Sequence, residues 1–266
     1  MRFDTFFSST GIEYYAVADI KNVRLTKGEL LEREDFVPRS VILFLVPYYT
    51  LTPKNISRYA ASYDYHLIIR KIGEGLSEAL KADFPLAKMK IYGDHSPIDE
   101  RSAALTHALG ILGDNGLLIN EKYGSYIFIG DLICDIPPEM LGARETGEVR
   151  YCMHCGACKR SCPTGILCGE SDACLSAITQ RKGELEEWEK ECMRRYNTAW
   201  GCDLCQSACP YNKNPEKTPI EMFYENVIEE LTSEELSRMN KEEFQRRAFS
   251  WRGRKVVERN LEILGK

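Results

Sequence analysis

The first half of the chain alternates short apolar runs with one long amphipathic segment. Residues 13–20 and 39–46 are runs of the kind that form buried strands, and Pro47 closes the second. Between residues 57 and 80, apolar side chains recur at helical spacing, which predicts a long helix packed on those strands. Residues 88–92 predict a third strand.

The pattern continues to about residue 148. A helix is predicted over 99–109, a Gly-rich loop over 110–116, and two further strands over 117–119 and 126–129. Strands that alternate with helices indicate an α+β fold built in α/β layers, for which we expect a mixed sheet.

The C-terminal part has a different pattern, because beyond residue 215 the chain is charged and helical. Thr232 begins a capped helix start, and a last helix is predicted over 255–264. We therefore predict three parts: an α/β-type domain over 1–148, a cysteine-rich module over 149–215, and a helical C-terminal segment over 216–266.

The cysteine-rich module contains two runs that bind iron–sulfur clusters in other proteins. From Cys152 to Pro163 the chain matches C-x2-C-x2-C-x3-C-P, the bacterial ferredoxin pattern, and from Cys202 to Pro210 it matches C-x2-C-x3-C-P. In such pairs, the last cysteine of each run binds the other cluster. This rule predicts a ferredoxin-like module with two [4Fe–4S] clusters.

Two such clusters need eight thiolates, and the two runs supply seven. The candidates for the eighth are Cys168, Cys174 and Cys192. Cys174 is favoured because it follows Ser171-Asp172-Ala173, a predicted helix start that would hold the thiolate on a fixed element. One cluster would then take Cys152, Cys155, Cys158 and Cys209, and the other Cys162, Cys174, Cys202 and Cys205.

Zinc and disulfides explain the cysteines less well. Structural zinc uses C-x2-C pairs but does not require the Cys-Pro ending that both runs share. Disulfide frameworks belong to small secreted domains, whereas this chain has 266 residues, 11 cysteines and no export signal at its start. With no apolar run long enough to span a bilayer, we expect no membrane association and a cytoplasmic location.

Charge gives little support for a polyanionic partner, since the formal net charge is −5. Residues 246–259 carry one basic candidate patch, made of Arg246, Arg247, Arg252, Arg254, Lys255 and Arg259. The alternative, which the sequence slightly favours, is an exposed helix face balanced by the acidic stretch 229–243.

Asp94 is the one candidate catalytic residue that the strand pattern indicates. It follows the strand over 88–92 in a Gly-Asp-His-Ser-Pro turn, at a strand end where α/β sheets often carry chemistry. A plain turn explains the same residues, because Asp before Ser-Pro commonly bonds to its own backbone.

The sequence resembles the epoxyqueuosine reductases, which are cobalamin-dependent iron–sulfur enzymes related to reductive dehalogenases. The resemblance covers residues 1 to about 264 and is most specific in the cysteine-rich part. The matching segments include Arg39-Ser40-Val41, Tyr48-Tyr49, Arg58-Tyr59-Ala60, Asp64-Tyr65-His66, Asp94 with Pro97, Glu100 and Arg101, Asp135-Ile136-Pro137, Cys162-Pro163-Thr164-Gly165, Gly201-Cys202-Asp203-Leu204-Cys205-Gln206, and Cys209-Pro210-Tyr211-Asn212.

The resemblance implies a function and a set of site residues. It implies reduction of epoxyqueuosine to queuosine in tRNA, with the clusters passing electrons from a flavodoxin- or ferredoxin-type donor to cobalamin. Asp94 corresponds to the general acid, and Cys174 to a cluster ligand. The residues implied to line the cofactor or substrate pocket are Tyr65, His66, Arg101 and Asn115.

Two departures from the family pattern weaken the tRNA substrate more than the cofactors. The family usually has Trp and Lys at the positions of Ile111 and Asp114, and full-length members continue into a helical-repeat domain that grips tRNA, whereas this sequence stops at Lys266. The alternatives are therefore a cobalamin-dependent reductase of a small molecule or corrinoid, and a dicluster electron carrier.

Overall fold

The computed structural model describes residues 2–266, which divide into two compact units. Unit 1 is the chain up to Pro47 together with His66–His154, and unit 2 is Tyr48–Tyr65 together with Cys155–Lys266. These units are drawn differently from the three predicted parts. The segment 48–65 folds with the C-terminal half. From Cys155 onward the cysteine-rich part and the helical C-terminal part fall in one unit, whereas residues 149–154, including Cys152, belong to unit 1.

The N-terminal half contains a four-stranded sheet, a two-stranded hairpin and three helices. In chain order, the elements are α1 (Arg2–Thr10), β1 (Tyr15–Asp19), β2 (Ser40–Pro47), α2 (Tyr65–Asp83), β3 (Met89–Gly93), α3 (Glu100–Thr106), β4 (Ile111–Leu112), β5 (Leu118–Ile119) and β6 (Ile127–Cys134).

The sheet has the strand order β1-β2-β6-β3, and all three strand pairs are antiparallel. The α+β class is thus confirmed, while the mixed sheet expected from the sequence is antiparallel instead. Central strand β6 pairs Gly130 with Phe44 on one side and with Gly93 on the other. It therefore lies directly beside the strand end that leads to Asp94.

Helices cover both faces of this sheet. On one face, Phe7 of α1 packs on Phe44 with ring centroids 5.8 Å apart, and α2 approaches so closely that a Cβ at Gly73 would lie 2.6 Å from Ile91. On the other face, alternate residues of the strands pack against buried α3 residues, including Ala104. The alternation of side chains along β6 places Asp131 on the α3 face, together with Ile133.

Most predicted elements of unit 1 are present, with four differences. Helix α1 over Arg2–Thr10 was not predicted. The long helix begins at Tyr65 rather than at residue 57, because residues 57–64 form loop and 3-10 turns within unit 2. Strand β6 runs to Cys134, well past its predicted end at residue 129. The Gly-rich loop 110–116 includes a short strand that makes a hairpin with Leu118–Ile119.

The rest of the chain is helical. The helices are α4 (Ala157–Arg160), α5 (Leu175–Gln180), α6 (Glu187–Arg195), α7 (Leu204–Ser207), α8 (Ser233–Arg238), α9 (Lys241–Gln245) and α10 (Arg254–Leu264). The predicted start at Thr232 is confirmed, since its side chain accepts a hydrogen bond from the N–H of Glu235. Over residues 2–266, no helix combines the length and apolarity needed to cross a membrane.

The last helix, α10, is tied to the cysteine-bearing loops by a buried amide. The side-chain nitrogen of Asn260 donates to the carbonyl oxygens of Thr179 and Ala199, both at 2.7 Å. The Thr179 hydroxyl in turn accepts a hydrogen bond from the N–H of Gly201, the residue before Cys202. Asn260 is fully buried, so water cannot replace these bonds.

The basic stretch 246–259 is partly structural. Arg247 donates to the carbonyl of Asn226, Arg254 to those of Leu236 and Met239, and Arg259 to that of Arg181. These three guanidinium groups bond to backbone carbonyls within unit 2, whereas the sequence slightly favoured an exposed helix face balanced by the acidic stretch 229–243.

Replacing Asn260 by Ala should destabilise unit 2. Two buried carbonyls would lose their donors, so we expect a loss of about 2–4 kcal/mol in the free energy of unfolding. Thermal or denaturant unfolding of the reconstituted protein measures it. Glu258→Ala, at an exposed position of the same helix, is the control and should stay within about 0.5 kcal/mol. Equal stability of the two variants would contradict this account of α10.

Candidate metal centre and active site

Cys162 lies in a loop whose backbone N–H groups converge on its sulfur. Burial acts to raise the pKa of the Cys162 thiol, but N–H groups of Leu167, Thr164 and Gly165 donate to the sulfur and bring the pKa below its ordinary value. Gly165 adopts a φ of 70° in this loop, a conformation that glycine reaches without steric cost. Such a loop stabilises a thiolate, the form in which cysteine binds metal.

Three more predicted ligands lie together in unit 2. Cys202 is largely buried, which raises its pKa to about 12, and the nearby thiolates of Cys174 and Cys205 add to that rise. Burial and neighbouring negative charge favour the protonated thiol, whereas a bound cation favours the thiolate. The grouping is therefore compatible with a metal cluster.

Cys174 begins a helix, as the sequence predicted, but it occupies the cap position itself. Its carbonyl accepts a hydrogen bond from the N–H of Ile178 at 2.9 Å, in the first turn of α5. Asp172 does not cap this helix, whereas the hydroxyl of Ser171 accepts a bond from the N–H of Ala173. The side chain of Cys174 is thus free to point away from the helix end.

The loop that holds Cys202 and Cys205 is anchored by the carboxylate between them. The carboxylate of Asp203 accepts one hydrogen bond from the hydroxyl of Ser57 and another from the N–H of Arg58 at 2.7 Å. It also forms an ion pair with the guanidinium of Arg58 at 3.1 Å. Both charged side chains are largely buried, so the pair is screened little by water.

The predicted ligands of the first cluster occupy different local settings. Cys158 is buried on α4, Cys155 is exposed, and Cys209 directly precedes a 3-10 turn that begins at Pro210. Cys152 lies in unit 1, two residues before the end of that unit at His154, and its N–H donates to the carbonyl of Leu112 at 2.9 Å.

Cys152 also has two polar neighbours that the sequence did not connect. The Nδ1 atom of His154 lies 2.6 Å from a carboxylate oxygen of Asp114, and the ligand atoms of these two residues and of Cys152 all lie within 4.8 Å of one another. Asp114, one of the two departures from the family pattern, therefore orients the histidine inside the first cysteine run.

Three cysteines remain outside the predicted ligand sets. Cys134 is buried in β6, which raises its pKa to about 12. Cys168 is exposed, and its sulfur lies 3.8 Å from the carbonyl of Lys159. Cys192 is half-buried on α6 beside Cys162; burial raises its pKa, and the Cys162 charge contributes.

Asp94 lies in a turn at the end of β3, which we call the Asp94 turn (residues 93–98). Asp94 and His95 are exposed, whereas residues 96–98 are buried. Its φ is 65°, a backbone conformation that is uncommon except for Gly, Asn and Asp. The N–H of Asp94 donates to Oε1 of Glu100 at 3.0 Å, and the buried hydroxyl of Ser96 donates to Oδ2 of Asp131, also at 3.0 Å.

Glu100 and Asp131 form a carboxyl pair. Burial, then the Asp131 charge and a hydrogen bond to Asp131, raise the pKa of Glu100 to about 9. Burial also raises the pKa of Asp131, opposed by hydrogen bonds from Glu100 and Ser96. Like charges this close cannot both persist in a buried site, so the pair holds one proton, chiefly on Glu100.

The sequence did not identify this pair. The strand predicted over 126–129 ended before Asp131, and Glu100 was indicated only by the family resemblance. A signal was nevertheless present, because Asp131 is the only charged residue in the apolar run from Ile127 to Cys134. A charged residue in a buried strand needs a partner and often marks a functional site.

Two of the four predicted pocket residues meet on the same side of unit 1 as the carboxyl pair. Arg101 follows Glu100 on α3 and donates to the carbonyl of Gly116 at 2.5 Å. Asn115 precedes that glycine. Its Oδ1 faces the N–H of Leu117, and its Nδ2 is buried with no hydrogen-bond partner among the described residues 2–266.

The other two pocket residues begin α2. Tyr65 is half-buried and His66 is exposed. One turn further on, Ile69 packs on the end of β3, where a Cβ at Gly93 would lie 3.0 Å from its side chain. The start of α2 therefore lies near the strand end that leads into the Asp94 turn.

Comparison with known proteins identifies both the cysteine-rich part and the chain as a whole. Residues 151–212 match the family described as a 4Fe-4S double cluster binding domain. An epoxyqueuosine reductase of Listeria monocytogenes is 34% identical over 221 residues, which cover 78% of this chain and 56% of that protein. An epoxyqueuosine reductase of Leadbetterella byssophila is 31% identical over 228 residues, covering 76% of this chain and 70% of that protein.

The chain belongs to the epoxyqueuosine reductase family. The fold agrees: a crystal structure of an epoxyqueuosine reductase with an epoxyqueuosine-modified tRNA stem loop superposes with a TM-score of 0.74 at 20% identity, over 98% of this chain and 79% of that one. The chain spans only a little over half of the Listeria relative. Members of this family use iron–sulfur clusters and cobalamin, so the cofactors implied by the resemblance are confirmed at the level of the family.

Replacing Cys174 by Ser should remove one cluster and leave the other. The anaerobically reconstituted variant should hold about half the iron of the wild type, since each cubane carries four irons. Cys168→Ser is the matched control, because Cys168 is exposed and outside both ligand sets, and it should keep full iron content. Iron and sulfide analysis measures both variants. If only Cys168→Ser loses iron, Cys168 is the eighth cluster ligand and Cys174 is not.

The protonated state of Glu100 predicts a pH dependence of stability. A raised folded-state pKa means that this group stabilises the fold below its ordinary pKa near 4.5 and loses that contribution as pH rises toward about 9. The charged or titratable groups that face it are Asp131 and Asp94, and Tyr92 faces Asp131. Glu100→Gln cannot lose this proton. Its thermal unfolding midpoint should therefore rise relative to that of the wild type as pH increases between the ordinary pKa of 4.5 and the raised pKa of about 9.

The control is Glu78→Gln at an exposed position of α2. Its midpoint should follow the wild type across the same range. Parallel pH curves for Glu100→Gln and the wild type would show that Glu100 is ionised in the folded protein.

Proposed function

We propose that this chain reduces epoxyqueuosine to queuosine in tRNA, using two [4Fe–4S] clusters and cobalamin. The observation that carries the proposal is its membership of the epoxyqueuosine reductase family together with the match of residues 151–212 to a double-cluster domain. Because the chain covers 56% of the Listeria relative, the activity is inferred from the part that the two proteins share.

The cysteine loops supply the electron path. One cluster would be held by Cys152, Cys155, Cys158 and Cys209, and the other by Cys162, Cys174, Cys202 and Cys205. Grouped thiols at Cys174, Cys202 and Cys205 and the N–H donors around Cys162 support this assignment. Two adjacent clusters carry single electrons from an external donor, for which we propose a flavodoxin or ferredoxin type.

The cobalamin would be held by Tyr65, His66, Arg101 and Asn115, the pocket residues that the family resemblance implies. The fit is supported by the amide nitrogen of Asn115, which is buried without a partner in the part of the chain that the structure describes. An unpaired buried donor is costly unless a ligand supplies the acceptor, and cobalamin carries amide oxygens on its corrin side chains and phosphate oxygens in its nucleotide loop. When bound, cobalamin supplies a metal that accepts electrons singly and delivers them to the substrate.

Asp94 would protonate the oxygen that leaves the epoxide. Removing an epoxide oxygen as water consumes two electrons and two protons, so a proton donor is needed beside the electron source. The side chain of Asp94 is exposed at a strand end, and its backbone is fixed by the bond to Glu100. An exposed acid on a fixed backbone supports the proposed role of proton donor.

We propose tRNA as the substrate because the solved relative described above was crystallised with a tRNA stem loop. The reaction would take place in the cytoplasm, where tRNA is modified. Arg247, Arg254 and Arg259 bond to backbone carbonyls of unit 2. The other basic residues of the 246–259 stretch, Arg246, Arg252 and Lys255, are the candidates for phosphate contacts.

Replacing Asp94 by Asn should lower turnover by about a hundredfold or more, the loss expected for a general acid. Asn adopts positive φ readily, so the Asp94 turn, both clusters and bound cobalamin should remain. Product formation from epoxyqueuosine-containing tRNA, followed by nucleoside analysis, measures the effect. His95→Ala, at the next exposed position, should stay within about threefold of the wild type.

Two outcomes would contradict the proposal. Near-normal turnover by Asp94→Asn removes Asp94 from the mechanism. A reconstituted wild type that binds cobalamin and reducing equivalents but leaves epoxyqueuosine in tRNA unchanged rules out the proposed substrate.

A further inference from the structure

The Asp94 turn is attached at two points to the carboxyl pair. Its first attachment is the bond from the N–H of Asp94 to Oε1 of Glu100, and its second is the bond from the Ser96 hydroxyl to Oδ2 of Asp131, each 3.0 Å long. The Ser96 hydroxyl also accepts the N–H of Ile98 at 3.3 Å, which fixes the end of the turn.

The two attachments are joined to each other by the hydrogen bond between the carboxyl groups of Glu100 and Asp131. Oδ1 of Asp131 is buried and has no hydrogen-bond partner among residues 2–266 when both acids are ionised. A proton on Glu100 gives the pair a donor for the hydrogen bond between the two carboxyl groups. The contacts described for either carboxyl group include no lysine or arginine, so a shared proton is what allows the two groups to lie together.

The backbone of the turn needs this support. Asp94 is held at positive φ in an exposed segment, where a flexible turn would otherwise relax to more populated conformations. Asp131 lies in the rigid centre of the sheet and Glu100 at the start of α3. The connection therefore ties the exposed turn to two fixed elements.

We propose that Glu100 and Asp131 form a one-proton latch that positions Asp94, with Glu100 acting as a neutral hydrogen-bonding residue and not as an acid or base. This inference rests on the proposed function for its catalytic consequence. Its structural content, the fixing of the Asp94 turn, can be tested without any substrate.

The latch predicts a specific order among substitutions at Glu100. Gln is neutral, and it carries one carbonyl to accept the Asp94 N–H and one amide to donate to Asp131, so Glu100→Gln should preserve the latch. Leu has neither group, so Glu100→Leu should release the turn. An ionised catalytic Glu100 predicts a different result, because Gln and Leu would then be equally damaging.

The first measurement is hydrogen–deuterium exchange of peptides that contain residues 93–98, in the holoprotein. Exchange should rise tenfold or more in Glu100→Leu and match the wild type in Glu100→Gln. Ser96→Ala removes only the second attachment and provides a milder variant, so it should also raise exchange if Glu100→Leu does not fold. Glu78→Leu, at an exposed site on α2, should leave these peptides unchanged.

The second measurement is steady-state turnover with epoxyqueuosine-containing tRNA. Glu100→Leu should lower kcat by about ten- to a hundredfold with little change in KM, as expected when a catalytic group is misplaced. Glu100→Gln should recover most of that loss. Iron and cobalamin content should equal those of the wild type in both variants, which separates positioning from cofactor loss.

The latch is wrong if Glu100→Gln is as inactive as Asp94→Asn, or if neither Glu100→Leu nor Ser96→Ala raises exchange at residues 93–98. If the wild type does not reduce epoxyqueuosine at all, the proposed function fails. The exchange measurement still decides the latch in that case, because it requires no substrate.

Discussion

The cost of burying the Asp131 carboxylate shapes the candidate active site. Asp131 is fully buried in β6, between two neighbouring strands. A lone charge there would be prohibitively unfavourable, and the structure offers Glu100 and Ser96 as its neighbours. Sharing one proton with Glu100 removes the repulsion between the acids, and the remaining hydrogen-bonding groups reach the turn that carries Asp94. The same arrangement satisfies a buried acid and fixes an exposed one.

Unit 2 uses buried polar side chains for a similar purpose. Asp203 lies between two cysteines and is held by Ser57 and Arg58, from the segment 48–65. Asn260 ties the last helix to the carbonyl of Thr179, whose hydroxyl binds the N–H before Cys202. Short loops rich in cysteine bury little apolar surface of their own, so these hydrogen bonds hold the ligands in place. Segments far apart in sequence thereby determine the geometry of the cysteines.

The departures from the family pattern also acquire a structural meaning. Asp114 contacts His154, which lies between Cys152 and Cys155 of the first run. Asp114, His154 and Cys152 all lie in unit 1, so the acid at this position affects the surroundings of Cys152.

The sequence by itself determined the strands β1 to β3, the last helix and the cysteine spacing, because apolar periodicity and ligand spacing are local properties. It also indicated Asp94 and, through helix-start chemistry, Cys174. Tertiary structure alone decided that the sheet is antiparallel, that residues 48–65 fold with the cysteine-rich half, and that Glu100 reaches Asp131. These features depend on contacts between residues that are distant in the chain. Burial and strand order bring such residues together, and their contacts leave no regular spacing in the sequence.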